Sequence, residues 1–178
     1  MSMLPRPIAL VGLSGTGKST VAAVLAQRLG WPSFDTDALI VQFSGGPVAD
    51  LFATRGEDYF RTLETEILGA ALLCAAFRPA VLATGGGIVL REDNRMLLQQ
   101  GAFTIWLDAP TDVLLARLLA HTEERPLLKG DNPAARLDTL RQQREPLYRA
   151  VADLVIDTAG LAPEAISAMI WGQVMRGA

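Results

Sequence analysis

The sequence predicts an α/β protein: a three-layer α/β/α sandwich on a five-stranded parallel sheet, with a P-loop after the first strand. Three observations predict it. Five short apolar runs alternate with segments of helical period, an order that gives right-handed βαβ units and a parallel sheet covered on both faces. The first run, residues 7–11, leads into Gly12-Leu-Ser-Gly-Thr-Gly-Lys-Ser19 and then a helix over 20–28, which fits G-x-x-x-x-G-K-[ST] in its strand–turn–helix setting. Polar residues gather at the carboxyl ends of the strands, where such sheets bind ligands.

Each element follows in turn. After the first helix, Gly30-Trp-Pro32 marks a turn, and residues 32–35 form a short strand ending at Asp35-Thr-Asp37. Residues 38–43 read as helix, broken by Ser44-Gly-Gly-Pro47, and Pro47 suits the start of a short helix over 48–53. Tyr59, Leu63, Ile67, Leu68 and Leu72 recur at helical spacing and predict a longer helix over 57–76. Residues 79–83 form a strand that runs into Thr84-Gly-Gly-Gly87. A helix over 91–100 is closed by Gly101. Then come a strand over 102–107, a helix over 111–120, and a charged, aperiodic stretch over 121–132. A helix over 133–149 contains Pro146, which predicts a kink or an early end. A strand over 154–156 and a helix over 163–175 finish the chain. Residues 38–78 and 121–132 do not fit the sheet. Long inserts at the ligand end of a sheet serve as substrate clamps and lids, so a helical substrate-binding region and a lid are expected there.

With 178 residues, the chain predicts one domain over 1–178 with room for a full core. Half the residues are hydrophobic, which excludes a disordered chain. A net charge of −3 argues against non-specific nucleic-acid binding. No run reaches the length of a membrane span, and the first strand begins too soon for a signal peptide, so a cytoplasmic protein is expected. Cys74 is the single cysteine, which rules out an intrachain disulfide. Its apolar surroundings, 67–77, predict a buried packing residue rather than a reactive thiol.

The P-loop carries the first chemistry. Its glycines let several N–H groups converge on one anion, and the helix N-terminus adds partial positive charge. Lys18 would reach the β- and γ-phosphates of a nucleotide, and Ser19 would offer a hydroxyl to Mg²⁺. Asp108 ends a strand that resembles a Walker B segment, but it stands before Ala109-Pro110 and a helix, where Asp is a common cap. Asp35 is the better metal-side group, acting through water opposite Ser19, because Mg²⁺ favours few protein carboxylates. Asp37 lies two residues on and would point the same way in extended backbone. It could bind substrate hydroxyls and take a proton, or Thr36-Asp37 could simply cap the next helix.

Arg61 and Glu64 share one helix face, as a surface ion pair or as a fork for a substrate carboxylate aimed by Glu64. Gly85, Gly86 and Gly87 at the tip of a strand suggest backbone pressed against a ligand. Arg125 and Arg144 add two further cations. Three arginines around a hydroxyl-binding aspartate describe a small polyhydroxylated acid better than a nucleobase.

Here the chain resembles a known family. Gly12–Thr20, Asp35-Thr-Asp37, Phe60-Arg-x-x-Glu64, Thr84-Gly-Gly-Gly87, Arg125-Pro-Leu-Leu128 and Arg144-x-Pro-Leu-Tyr148 resemble, in order and spacing, the motif set of shikimate kinases. The resemblance implies a nucleoside-monophosphate-kinase-like core. It implies transfer of the ATP γ-phosphoryl group to the 3-hydroxyl of shikimate, with Mg²⁺, by a cytoplasmic monomer of aromatic amino-acid biosynthesis. It implies that Gly15, Thr16, Gly17, Lys18, Ser19 and Thr20 hold ATP, and that Ser19 and Asp35 serve the metal. Asp37 is then the hydroxyl-binding group and candidate base, and Arg61 and Arg144 bind the carboxylate. Gly85, Gly86 and Gly87 line the acceptor pocket. Arg125 becomes the lid arginine and, with Lys18 and Asp37, part of the catalytic set. Arg117 matches an arginine that packs on adenine, although a place on the helix surface reads nearly as well. The rivals are a gluconate-kinase-like enzyme of the same fold and a non-catalytic nucleotide-binding regulator.

Overall fold

A computed structural model of the chain describes residues 6–120 and 132–177. Five parallel strands form one sheet: β1 (Ile8–Val11), β2 (Ser33–Asp35), β3 (Val81–Ala83), β4 (Phe103–Asp108) and β5 (Leu154–Asp157), in the order β2-β3-β1-β4-β5. Strand β1 is apolar on both faces because both faces are covered. Ile8 and Leu10 pack with Val21 and Leu25 of α1 (Lys18–Leu29) and Ile166 and Ile170 of α8 (Pro163–Gly177). Ala9 and Val11 face the other layer, which holds α4 (Glu57–Phe77), α5 (Glu92–Gly101), α6 (Thr111–Ala120) and α7 (Pro133–Val151). The three-layer sandwich predicted from the alternation of elements is therefore what forms.

The strand order positions the site. From β1 the chain crosses to β2, and from β3 it crosses the opposite way to β4. The loops after the adjacent strands β1 and β3 thus diverge and open a crevice at their carboxyl ends. Helices α2 (Thr36–Ser44), α3 (Val48–Arg55) and α4 border that crevice around a small core of Ile40, Leu51, Phe60 and Leu63. A short 3₁₀ turn, Ile88–Leu90, follows the triple glycine.

Four local expectations are corrected. The backbone is not extended through Asp37, because α2 begins at Thr36. Gly101 is the last residue of α5 rather than the residue beyond it. Helix α7 does not end early at Pro146 but runs to Val151. Pro146 is exposed, where water can take the carbonyl its missing N–H leaves over, while Leu137, Tyr148 and Val151 keep the buried face packed. Cys74 is exposed, not buried: the inward stripe of α4 passes through Leu68, Leu72 and Ala75 and leaves position 74 outside. Residues 121–131, with Arg125 and His121, lie outside the described residues, and so does the expected lid. Among the described residues no helix is long and apolar enough to cross a membrane.

Candidate active site

The loop after β1 is shaped by steric demand. Gly12 has φ 141°, and a Cβ there would overlap the Leu107 carbonyl oxygen. Thr16 Oγ1 donates to the Leu13 carbonyl at 2.9 Å, which closes the turn from inside. Lys18 Nζ donates to the carbonyls of Gly12 at 2.8 Å and Leu13 at 2.9 Å, so the ammonium is held over the loop rather than loose in solvent. Lys18 is also the first residue of α1, whose leading N–H groups have no partner within the helix. The result is a fixed cation beside a helix N-terminus, an arrangement suited to a polyphosphate.

Asp35 accepts from three neighbours. One carboxylate oxygen accepts from Ser19 Oγ at 2.6 Å, and the other accepts from the Asp37 and Ala38 amides at 3.0 and 3.3 Å. Asp35 is thus the N-cap of α2. That settles what Asp37 is not: it sits in the first turn with its carboxylate free of capping. An added Cβ on Gly85 would lie 2.5 Å from Asp37 Oδ1, so the carboxylate rests against the triple glycine. Solvent reaches Asp37 through the cleft mouth, but the protein packed around its other sides pushes its carboxyl above the ordinary value. The nearby charge of Asp35 pushes the same way, and Lys18 and Arg61 pull it back.

Arg61 comes from the same wall. Its Nη1 donates to Glu64 at 2.9 Å, while its Nε and Nη2 donate to one oxygen of Glu57 at 3.3 and 3.2 Å. Glu64 is 1% exposed. Burial raises its carboxyl above the usual range, and the hydrogen bond from Arg61 opposes that shift. An exposed pair would contribute little, but this one fixes a guanidinium at the cleft edge. A Cβ on Gly87 would overlap the Arg61 guanidinium, so a side chain there would push that guanidinium aside.

The triple glycine is anchored on every side. Thr84 Oγ1 donates to Leu10 at 2.9 Å, and the Gly85 amide donates to Thr36 Oγ1 at 3.1 Å. The Gly86 carbonyl accepts from Arg144 Nη1 at 3.0 Å and from the Tyr148 hydroxyl. A cleft of about 1040 Å³ runs between these parts. It is lined by residues 14–21, Asp35, Asp37, Arg61, Glu64, the three glycines and Arg117, with Val48, Phe52 and Phe60 as an apolar wall. Of the residues singled out in the sequence, Gly15 to Thr20, Asp35, Asp37, Arg61, Gly85 to Gly87 and Arg117 meet on this one cleft. Arg144 stands behind Gly86, and Arg125 lies outside the described residues.

Residues 14–174 match the shikimate kinase family. The chain belongs to the shikimate kinase family. It is 42% identical to the shikimate kinase of a Synechococcus species over 91% of this chain and 84% of that one. It is 45% identical to the shikimate kinase of Symbiobacterium thermophilum over 85% and 86% of the two chains. Among solved structures, the shikimate kinase from Acinetobacter baumannii in complex with shikimate superposes with a TM-score of 0.89 at 35% identity, covering 98% of this chain and 96% of that one.

For a member of the shikimate kinase family, four further residues deserve a place in the site. Arg117 is not loose on a helix surface. It donates to the Thr158 carbonyl at 2.7 Å, to Thr158 Oγ1 at 2.9 Å and to the Gly15 carbonyl at 3.3 Å. It therefore joins the P-loop to the segment between β5 and α8. Asp108 is no partner for Ser19: Arg141 of α7 donates to its two carboxylate oxygens at 3.3 and 2.6 Å. Sequence reading missed Thr158 and Arg141, whose contacts span 41 and 33 residues and have no local signal. It missed Glu57 as well, although the i,i+4 spacing to Arg61 was available. Tyr148 ends the Arg144-x-Pro-Leu-Tyr148 motif, whose pattern alone implies no task for it.

Proposed function

We propose that this chain transfers the γ-phosphoryl group of ATP to the 3-hydroxyl of shikimate, giving shikimate 3-phosphate and ADP on the route to chorismate and the aromatic amino acids. One observation carries the reading. Asp37, released from capping by Asp35, shares a single cleft with Lys18 on one side and the Arg61–Glu64 pair on the other. A phosphate-binding loop alone describes any nucleotide binder. A free carboxylate between that loop and a held guanidinium describes an acceptor that carries both a hydroxyl and an acid.

Phosphoryl transfer asks mainly for position and charge neutralisation. In this reading Gly15 to Thr20 and the N-terminus of α1 hold the polyphosphate, and Lys18 leaves the Gly12 and Leu13 carbonyls for the β- and γ-phosphates. Arg61 and Arg144 grip the acceptor carboxylate, with Gly85 to Gly87 beneath the ring. Asp37 accepts the proton of the 3-hydroxyl as its oxygen bonds to the γ-phosphorus and the bond to the β-phosphate oxygen breaks. The raised Asp37 carboxyl is the better base for it. Arg125, in the expected lid over 121–132, completes the catalytic set and neutralises charge on the moving group as water is excluded. Arg117 serves the nucleotide side from its anchor on Thr158.

The residues present suit Mg²⁺. Ser19 and Asp35 bring two oxygen ligands together, and among the described residues no cluster of three or more His, Cys, Asp or Glu side chains would hold a metal without substrate. A cation that keeps its waters and binds phosphate oxygens fits so sparse a donor set. When bound, it would supply positive charge to the β- and γ-phosphates.

The same reading takes residues 1–178 as one domain, with 38–78 as the acceptor-binding region. It also takes the protein as a cytoplasmic monomer; elution volume on gel filtration tests the oligomeric state. The decisive experiment is coupled ADP release with a panel of acceptors. Shikimate should drive ADP release well above buffer and gluconate should not, and the reverse result would overturn the proposal.

A further inference from the structure

The Gly86 carbonyl takes two donors from one face of α7. Arg144 and Tyr148 stand four residues apart, and both reach it. The Tyr148 side chain cannot swing away. It is 1% exposed, and its ring stacks on Trp106 of β4 with centroids 5.8 Å apart. Burial pushes its hydroxyl up to about 12, so it stays a donor at every pH where the protein would work.

A peptide unit is one plane, and no peptide bond in the described residues is cis. A Gly86 carbonyl drawn toward α7 therefore turns the Gly87 N–H the opposite way. Gly86 and Gly87 line the cleft, and the Gly87 amide meets no protein acceptor among the described residues. A buried N–H without a partner needs an explanation, and a ligand oxygen is one. We propose that Tyr148 is a positioning residue for the acceptor: by holding the Gly86 carbonyl against α7 it aims the Gly87 N–H into the cleft as a hydrogen-bond donor to an acceptor oxygen. This rests on the acceptor reading above. Arg144 then need not hold the peptide alone. The ring carries the Tyr148 hydroxyl from the buried face of α7 to the loop, a reach that a serine or threonine lacks.

The test is Tyr148→Phe, which keeps the ring and removes one donor. Shikimate Kd, measured by calorimetry, should rise about 3- to 10-fold, the loss of a single neutral hydrogen bond. ATP Kd should stay within about twofold. Labelled at the backbone amides, the wild-type protein should show a downfield proton shift of the Gly87 resonance on adding shikimate, and Tyr148→Phe should lose most of it. An unchanged shikimate Kd, an equal rise in both Kd values, or a Gly87 amide that does not respond in the wild type would each overturn the inference. The amide measurement needs no variant and so stands even if Tyr148→Phe folds poorly. If the wild type releases no ADP with shikimate, the underlying reading fails instead.

Discussion

On the donor side of the cleft, Gly17 has φ 88° and nothing within 4 Å of where a Cβ would sit. On the acceptor side, Gly87 has φ −94°, ordinary for any residue, yet a Cβ there would overlap Arg61. The first glycine is needed for its backbone angle and the second for its emptiness. This contrast runs through the whole site. The proposed donor half is centred on backbone from one contiguous stretch, which offers amides, a helix end and Lys18, with Arg117 beside it. The acceptor half is made of side chains from α2, α4 and α7 pressed onto one loop, and each depends on a neighbour: Asp37 on the capping by Asp35, Arg61 on Glu64, Gly86 on Tyr148. Damage to the two halves should therefore look different.

The largest effect is expected at the one group that both halves face. Asp37→Asn should lower kcat by about 10²- to 10⁴-fold, the range of a general base, while ATP Kd stays within about twofold. Steady-state rates and titration with a non-hydrolysable ATP analogue give both values. Turnover retained in this variant would remove Asp37 from proton transfer and leave it a positioning group.

Arg61→Ala comes next. Loss of charge-assisted hydrogen bonds should raise the shikimate KM by about 10- to 100-fold. ATP KM should hardly move, because Arg61 touches only the acceptor wall. A parallel rise in ATP KM would break the separation of the two halves.

The glycines give the most direct comparison. Gly17→Ala forces a side chain into a left-handed backbone, at a cost of about 1–2 kcal/mol, and should lower Tm by a few degrees and raise ATP KM. Gly87→Ala carries no such strain but displaces Arg61. It should raise shikimate KM by about 10-fold, roughly the worth of one charge-assisted hydrogen bond, with Tm nearly unchanged. If both variants shift the same KM, conformation and space are not the separate requirements they look.

Legibility follows the same division. The donor loop could be read from the residues alone because its geometry is contiguous: a strand, a glycine pattern and a helix fix where the amides point. Four of the five strands were readable for a similar reason, since each is a largely apolar run flanked by breakers, whereas β2, Ser33–Asp35, was readable only from the turn before it. The acceptor half was readable as a set of residues but not as an arrangement. Whether Asp35 or Asp37 caps α2 depends on the helix starting at Thr36, a one-residue matter that propensity does not decide. Arg117 finds its partner just beyond β5 and Arg141 at the end of β4, places brought alongside only by the sheet order. Cys74 is a different kind of miss. The stripe of Leu68, Leu72 and Ala75 was present in the sequence and already placed position 74 on the outer face.

The smallest expected effect tests what the acceptor half costs the fold. Burial and the charge of Asp35 raise the Asp37 carboxyl above its ordinary value of 3.8. Below that value both folded and unfolded chains hold the proton, and the group is neutral to stability. As pH rises past it, the unfolded chain releases its proton first while the folded chain retains it, so stability falls until the raised folded value is passed. At neutral pH the ionised Asp37 is thus a standing destabilisation, tempered by Lys18 and Arg61. Asp37→Asn should raise Tm at pH 7 by about 1–3 °C and by less at pH 4, with the difference read by scanning calorimetry in matched buffers. No comparable gain should come from Gly17→Ala or any other change in the donor loop, where the fixed charge is a lysine already satisfied by carbonyls. An Asp37→Asn protein that is less stable at pH 7 than the wild type would mean that Lys18 and Arg61 outweigh burial. The carboxylate would then hold the two halves of the cleft together rather than strain against them.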